Sequence, residues 1–112
     1  MRTARELMRT LVPMRPIDFT RINAAALASF PDLLPRWLPD GRRQGAEYIA
    51  RNPRRNDRTA GSFKINVNTG LWADFAVADV RGGDPVSLYA YLFGVRQSYA
   101  AREIARLLGI NP

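Results

Sequence analysis

Apolar and polar residues alternate most clearly between Ser62 and Val77, SFKINVNTGLWADFAV, a period-two pattern broken once by Asn68-Thr69-Gly70. Alternation of this kind predicts two half-buried strands joined by a tight turn. A three-residue loop ending in Gly70 suits a type I turn closed by a left-handed residue. That loop sets Val67 opposite Leu71, Ile65 opposite Ala73 and Phe63 opposite Phe75, so all six share an apolar face. Ser62, Lys64, Asn66, Trp72 and Asp74 then share the other face. Trp72 on a polar face has no packing reason to be there unless a ligand or another element covers it.

Elsewhere the period is helical. Thr3-x-x-Glu6 is a capping-box pattern ahead of Leu7 and Leu11, which predicts a short helix over Thr3–Val12 ended by Pro13 and Pro16. Asp18 is placed to cap a second helix carrying Phe19, Ile22, Ala26 and Phe30, with Pro31 closing it. Leu33, Leu34, Trp37 and Leu38 predict one more short helical piece, and Trp37 reads as core. Pro39-Asp40-Gly41 is a turn, Glu47–Ala50 a third strand beside the hairpin, and residues 52–61 a loop. Arg81-Gly82-Gly83 reads as a flexible turn before a helix with Asp84 at its N-cap, Pro85 in its first turn and Gly94 at its end. Ser98 is placed to cap a last helix bearing Ala101, Ile104, Leu107 and Leu108, stopped by Gly109. The expectation is a single α+β domain over residues 1–112. Its first part, residues 1–40, is helical; residues 41–112 hold a small three-stranded antiparallel sheet and two C-terminal helices.

Composition narrows the chemistry. The chain has 17 basic and 10 acidic residues, and all the basic ones but Lys64 are arginine. A net charge of +7 points to a polyanionic partner, which arginine grips with a planar pair of donors. Neither Cys nor His occurs. Thiol nucleophiles, imidazole acid–base catalysis and the usual zinc ligands are thereby excluded. Asp74, Asp79 and Asp84 fall on a strand, a loop and a helix cap, so they read as a cross-strand partner of Lys64, a solvated residue and an N-cap, and no catalytic site is expected. No apolar run reaches the roughly 18 residues a transmembrane helix needs, and the basic N-terminus is too interrupted for a signal peptide, which reads as a cytoplasmic protein.

The order of strand, Asn52-Pro53-Arg54-Arg55 loop, Ser62-Phe63-Lys64-Ile65-Asn66 strand, Gly turn, Trp72–Val77 strand, Gly82-Gly83-Asp84 and apolar helix resembles the N-terminal zinc-binding domain of bacterial and phage DNA primases, over about residues 47–108. The resemblance implies a zinc-ribbon-like sheet and a part in DNA replication. It also sets Asn52, Arg55, Asp74 and Val77 at the four zinc-ligand positions, where they cannot form a tetrahedral zinc site. A metal-free relative, without cofactor, is therefore expected, its core enlarged by Phe19, Ile22, Phe30, Leu34 and Trp37 in place of the metal.

An aromatic ring among cations on an open sheet is a platform for single strands. On this reading Trp72 stacks a base, Lys64 and Asn66 contact sugar or base edges, and Arg51, Arg54, Arg55 and Arg58 line the backbone path. The chain would then be a non-catalytic single-stranded-DNA-binding or recruitment module of a phage, plasmid or mobile-element replication system. The rival is a protein adaptor that docks a primase, polymerase or helicase subunit without touching nucleic acid. A basic groove beside an exposed aromatic favours the first, and an apolar patch with few cations the second.

Overall fold

The computed structural model describes Thr3 and residues 16–112. The helix expected over Thr3–Val12 lies outside the described residues apart from Thr3. The described part is α+β, with four helices and one five-stranded antiparallel sheet. Helices α1 (Phe19–Ala28) and α2 (Phe30–Trp37) come first. Strands β1 (Arg42–Gln44), β2 (Glu47–Ala50), β3 (Phe63–Asn66), β4 (Trp72–Asp74) and β5 (Arg81–Gly82) follow as a meander in the order β1-β2-β3-β4-β5. Helices α3 (Pro85–Phe93) and α4 (Gln97–Leu108) close the chain.

The sheet thus corrects the expectation of three strands. The added strands flank the predicted ones, at β1 and β5. Gly45, with φ +62°, allows a two-residue turn between Gln44 and Glu47, and so Arg42–Gln44 folds back onto β2. At the other edge, Arg81 and Gly82 pair with Ala73 and Trp72 instead of forming a flexible turn.

The helical segments follow local rules. Asp18 caps α1, its carboxylate accepting from the Arg21 N–H at 3.1 Å. Pro31 opens α2 rather than closing α1: the chain breaks at Ser29, and proline is accommodated in a first turn because its missing N–H would have no partner there. Asp84 and Ser87 form a reciprocal capping box at the start of α3, and Gly94, with φ +64°, ends it. Arg96, not Ser98, sits at the N-cap of α4.

One core serves all these elements. Ile22, Phe30, Leu34 and Trp37 from the first two helices meet Phe63, Ile65 and Trp72 from the sheet and Val86, Leu88, Ile104 and Ala105 from the last two helices. Phe19, also expected there, is 38% exposed. Phe30 and Tyr89 meet the Trp37 ring edge-on, with centroids at 6.3 and 5.3 Å. No helix among the described residues is long and apolar enough to cross a membrane.

Candidate nucleic-acid interface

The hairpin loop decides what the sheet presents. Asn66 turns its side-chain oxygen back to accept from the N–H groups of Asn68 and Thr69, at 2.9 and 3.0 Å. This is the local ring that asparagine forms readily in turns. The Asn66 carbonyl accepts from Gly70 at 2.9 Å, and the Asn66 N–H donates to the Leu71 carbonyl at 2.7 Å. The loop is therefore Val67–Gly70, one residue longer than expected, with Gly70 at φ +82°. Ile65 then pairs with Trp72, Lys64 with Ala73 and Phe63 with Asp74.

That one-residue slip turns every β4 side chain to the other face. Trp72, expected on the open face as the stacking ring, is 5% exposed on the closed face. Its indole N–H donates to Ser87 Oγ at 3.0 Å, and its ring packs 5.2 Å from Tyr91 and 6.1 Å from Phe63. The cover comes from α3 rather than from the N-terminal helices. Gly82, opposite Trp72, leaves the room: a Cβ there would collide with the indole and with Ser87 Oγ.

Asp74 moves inward with Trp72, and its partner is Arg55, not Lys64. Arg55 Nε lies 2.6 Å from Asp74 Oδ2, and one Nη lies 3.3 Å from Oδ1 and 2.8 Å from Ser62 Oγ. Asn52 donates through its side-chain amide to Asp74 Oδ2 at 2.9 Å and to the Tyr91 hydroxyl at 2.8 Å. The Ala76 N–H adds a third donor to the carboxylate, at 3.0 Å. The adjacent guanidinium, helped by these donors, holds the Asp74 carboxyl well below the usual carboxylate range despite its burial. Asn52, Arg55 and Asp74 are thus neighbours in space. Val77 joins only through its backbone, its N–H donating to the Asp74 carbonyl at 3.2 Å, and the residue is 40% exposed.

The arginine loop is consequently a different object from the expected backbone track. Arg55, partly exposed, is tied to the buried Asp74, and Arg54 lies over the Tyr91 ring at 6.0 Å. Arg51 pairs with Asp40 at 2.9 Å. Arg58 is exposed on the loop.

What faces outward is a second set of residues. Leu71 and Phe75 are 58% and 74% exposed, and with Ala73 between them they form the outer side of β4. Lys64 and Asn66 remain on this face, as expected. The Lys64 ammonium lies 5.7 Å from the Phe75 ring centre, a cation–π distance. A groove of about 320 Å³ runs over Ala73, lined by Glu47, Lys64, Asn66, Leu71, Phe75 and Arg81. Arg42, Lys64 and Arg81 make no ion pair with any described residue.

Phe75, Leu71, Ala73, Arg42 and Arg81 were therefore missed from the pattern alone. The available signal was Asn66, whose preference for closing a turn on its own side chain argues for the longer loop. Among the described residues no group of three or more carboxylates converges as a metal site. No protein-family model, curated protein or solved structure matches this chain.

Proposed function

We propose that the chain is a non-catalytic module that binds single-stranded DNA on the open face of its sheet, within a cytoplasmic replication system of the primase type. The observation that carries this reading is the Phe75 ring, 74% exposed with a lysine ammonium beside it and, across the groove, Arg81, which has no ion-pair partner among the described residues. A base stacks on such a ring in any sequence context, while the cations take the phosphates. Phe75 therefore replaces Trp72 as the stacking residue, and Lys64 and Arg81 replace the arginine loop as the phosphate contacts. Asn66 keeps its amide N–H groups for a sugar or base edge, since its oxygen is committed to the turn.

The replication setting rests on the resemblance stated above, and the meeting of Asn52, Arg55 and Asp74 supports it. Residues far apart in sequence, aligned with the ligands of one zinc ion, share one site here and hold the loop to β4 by charge and hydrogen bonds. The adaptor reading is weaker on this face, because cations flank the apolar residues and interface cores are depleted in charge.

The test is fluorescence anisotropy with labelled single- and double-stranded oligonucleotides over a range of salt. The single strand is expected to bind more tightly, because a flat sheet face stacks unpaired bases but has no element to enter a duplex groove. Phe75→Ala is expected to weaken binding about tenfold, the worth of one stacked base, with the salt dependence unchanged. Lys64→Ala and Arg81→Ala should each flatten the slope of log affinity against log salt by about 0.7. Equal binding of duplex, or no effect of Phe75→Ala, would mean unspecific charge attraction and favour the adaptor.

A further inference from the structure

We infer that the bound strand crosses the sheet at right angles to its β-strands, along the row Arg42–Lys64–Arg81, and seats one base on Ala73 between Leu71 and Phe75. This deepens the reading above and rests on it. The row follows from the register. Arg42 pairs with Ile49, Ile49 with Lys64, Lys64 with Ala73 and Ala73 with Arg81. Residues directly opposite one another in an antiparallel sheet point to the same face, so these five form one line across all five strands. Its cations stand on alternate strands, β1, β3 and β5. Neighbouring strands are about 4.8 Å apart, which spaces the cations by roughly 9.5 Å.

A path along the strands finds far less charge. Lys64 is the one cation among the outward positions of β3, where Asn66 is its neighbour. The outer side of β4, Leu71, Ala73 and Phe75, has no cation at all. On β2 this side carries the acidic Glu47 and Ile49, which is buried at 7% exposure. Binding a polyanion by counterion release requires cations beneath successive phosphates, and the transverse row is where this face has them.

Ala73 marks where a base enters. It lies half-buried in that row between Lys64 and Arg81, which stand opposite it on the adjoining strands, with Leu71 and Phe75 two residues away on either side along β4. The result is a saddle with a small floor, apolar ends and cationic sides. Its volume of about 320 Å³ is at the lower end of the roughly 300–1,000 Å³ usual for ligand sites, which suits one nucleotide unit rather than a stacked pair.

The experiment titrates the whole chain with a fluorescein-labelled oligothymidylate at several salt concentrations and follows anisotropy. Ala73→Leu fills the floor and is expected to lower affinity about tenfold, with the salt slope kept, as for the loss of one stacked base. Arg42→Ala, at an exposed position of the edge strand, is expected to flatten the slope by about 0.7 although β2 separates it from Lys64. Arg102→Ala on α4 controls for net charge and should leave the slope unchanged. Thermal melts of each variant confirm folding, and Arg42→Ala carries the test if Ala73→Leu is unstable. If Phe75→Ala weakens binding but Arg42→Ala leaves the slope intact, or a folded Ala73→Leu leaves affinity intact, the face binds DNA by another path and the transverse row is wrong. An equal change in slope from Arg102→Ala overturns the row as well. If wild type does not bind, or Phe75→Ala has no effect, the platform reading itself fails.

Discussion

Asp74 carries an unusual load for one carboxylate. Its side chain is fully buried, yet it stays charged because Arg55, Asn52 and the Ala76 N–H together replace the water it has lost. In the unfolded chain the same carboxyl has an ordinary pKa of about 3.9. The folded value is lower, so the stabilisation is complete above pH ~4 and is lost as pH falls below that, where the unfolded chain takes up the proton first. Asp74→Asn is expected to cost about 3 kcal/mol at neutral pH, at the lower end for a broken buried pair because Arg55 is 31% exposed and can partly rehydrate. It should also flatten the fall in stability between pH ~4 and ~2. Urea melts of both proteins across that window decide the matter, and parallel curves would show that the carboxylate is not held charged by folding.

At the scale of the element, β4 has two faces with opposite duties. Trp72 and Asp74 hold it to α3 and to the arginine loop, while Leu71, Ala73 and Phe75 are left to solvent. Substitutions three residues apart on this segment should therefore separate stability from binding. Trp72→Ala is expected to destabilise by about 3–5 kcal/mol, since it removes a buried ring and the shorter of the two hydrogen bonds that the Ser87 hydroxyl accepts. Phe75→Ala should shift stability by less than about 0.5 kcal/mol, as surface changes do. Chemical denaturation of the two variants reads the difference directly. A larger loss from Phe75→Ala than from Trp72→Ala would mean that the hairpin has the three-residue loop after all.

Across the whole molecule, the two ends of the described chain are clasped together. Asn23 on α1 accepts from the Val86 N–H in the first turn of α3 at 2.9 Å, a contact spanning 63 residues. The first N–H groups of a helix have no partner within it, so this side chain acts as a cap supplied from a distant element. Arg21 reinforces the closure by donating to the Asn111 carbonyl at 2.8 Å, and Tyr48 on β2 donates to the Leu38 carbonyl beyond α2 at 2.7 Å. Asn23→Ala is expected to cost about 1–2 kcal/mol. Hydrogen exchange at Val86 should quicken markedly. An unchanged exchange rate there would show that the clasp is not formed in solution.

Much of this arrangement was legible in local sequence because its causes are local. Asp18 and Asp84 start helices by accepting the free N–H groups of the next turn, Gly94 and Gly109 end them in left-handed conformations, and Phe63–Asn66 alternates as a strand does, while Glu47–Ala50 carries the strand-favouring Tyr48 and Ile49. The apolar spacing likewise marked Ile22, Phe30, Leu34 and Trp37 as core. Strands β1 and β5 were not legible, since three exposed polar residues and an Arg-Gly pair have no strand pattern and pair only because a neighbouring edge is already in place. The candidate site depended on still less local information. Both hairpin loops leave β3 and β4 alternating, so periodicity alone cannot choose between them. The longer loop prevails because it sends the Trp72 ring and its N–H to Tyr91 and Ser87, and the Asp74 carboxylate to Arg55 and Asn52, partners 15 to 22 residues away in a chain that must first fold to bring them near. Satisfying a buried indole and a buried charge outweighs covering Leu71 and Phe75, and those two side chains are left on the surface as a result.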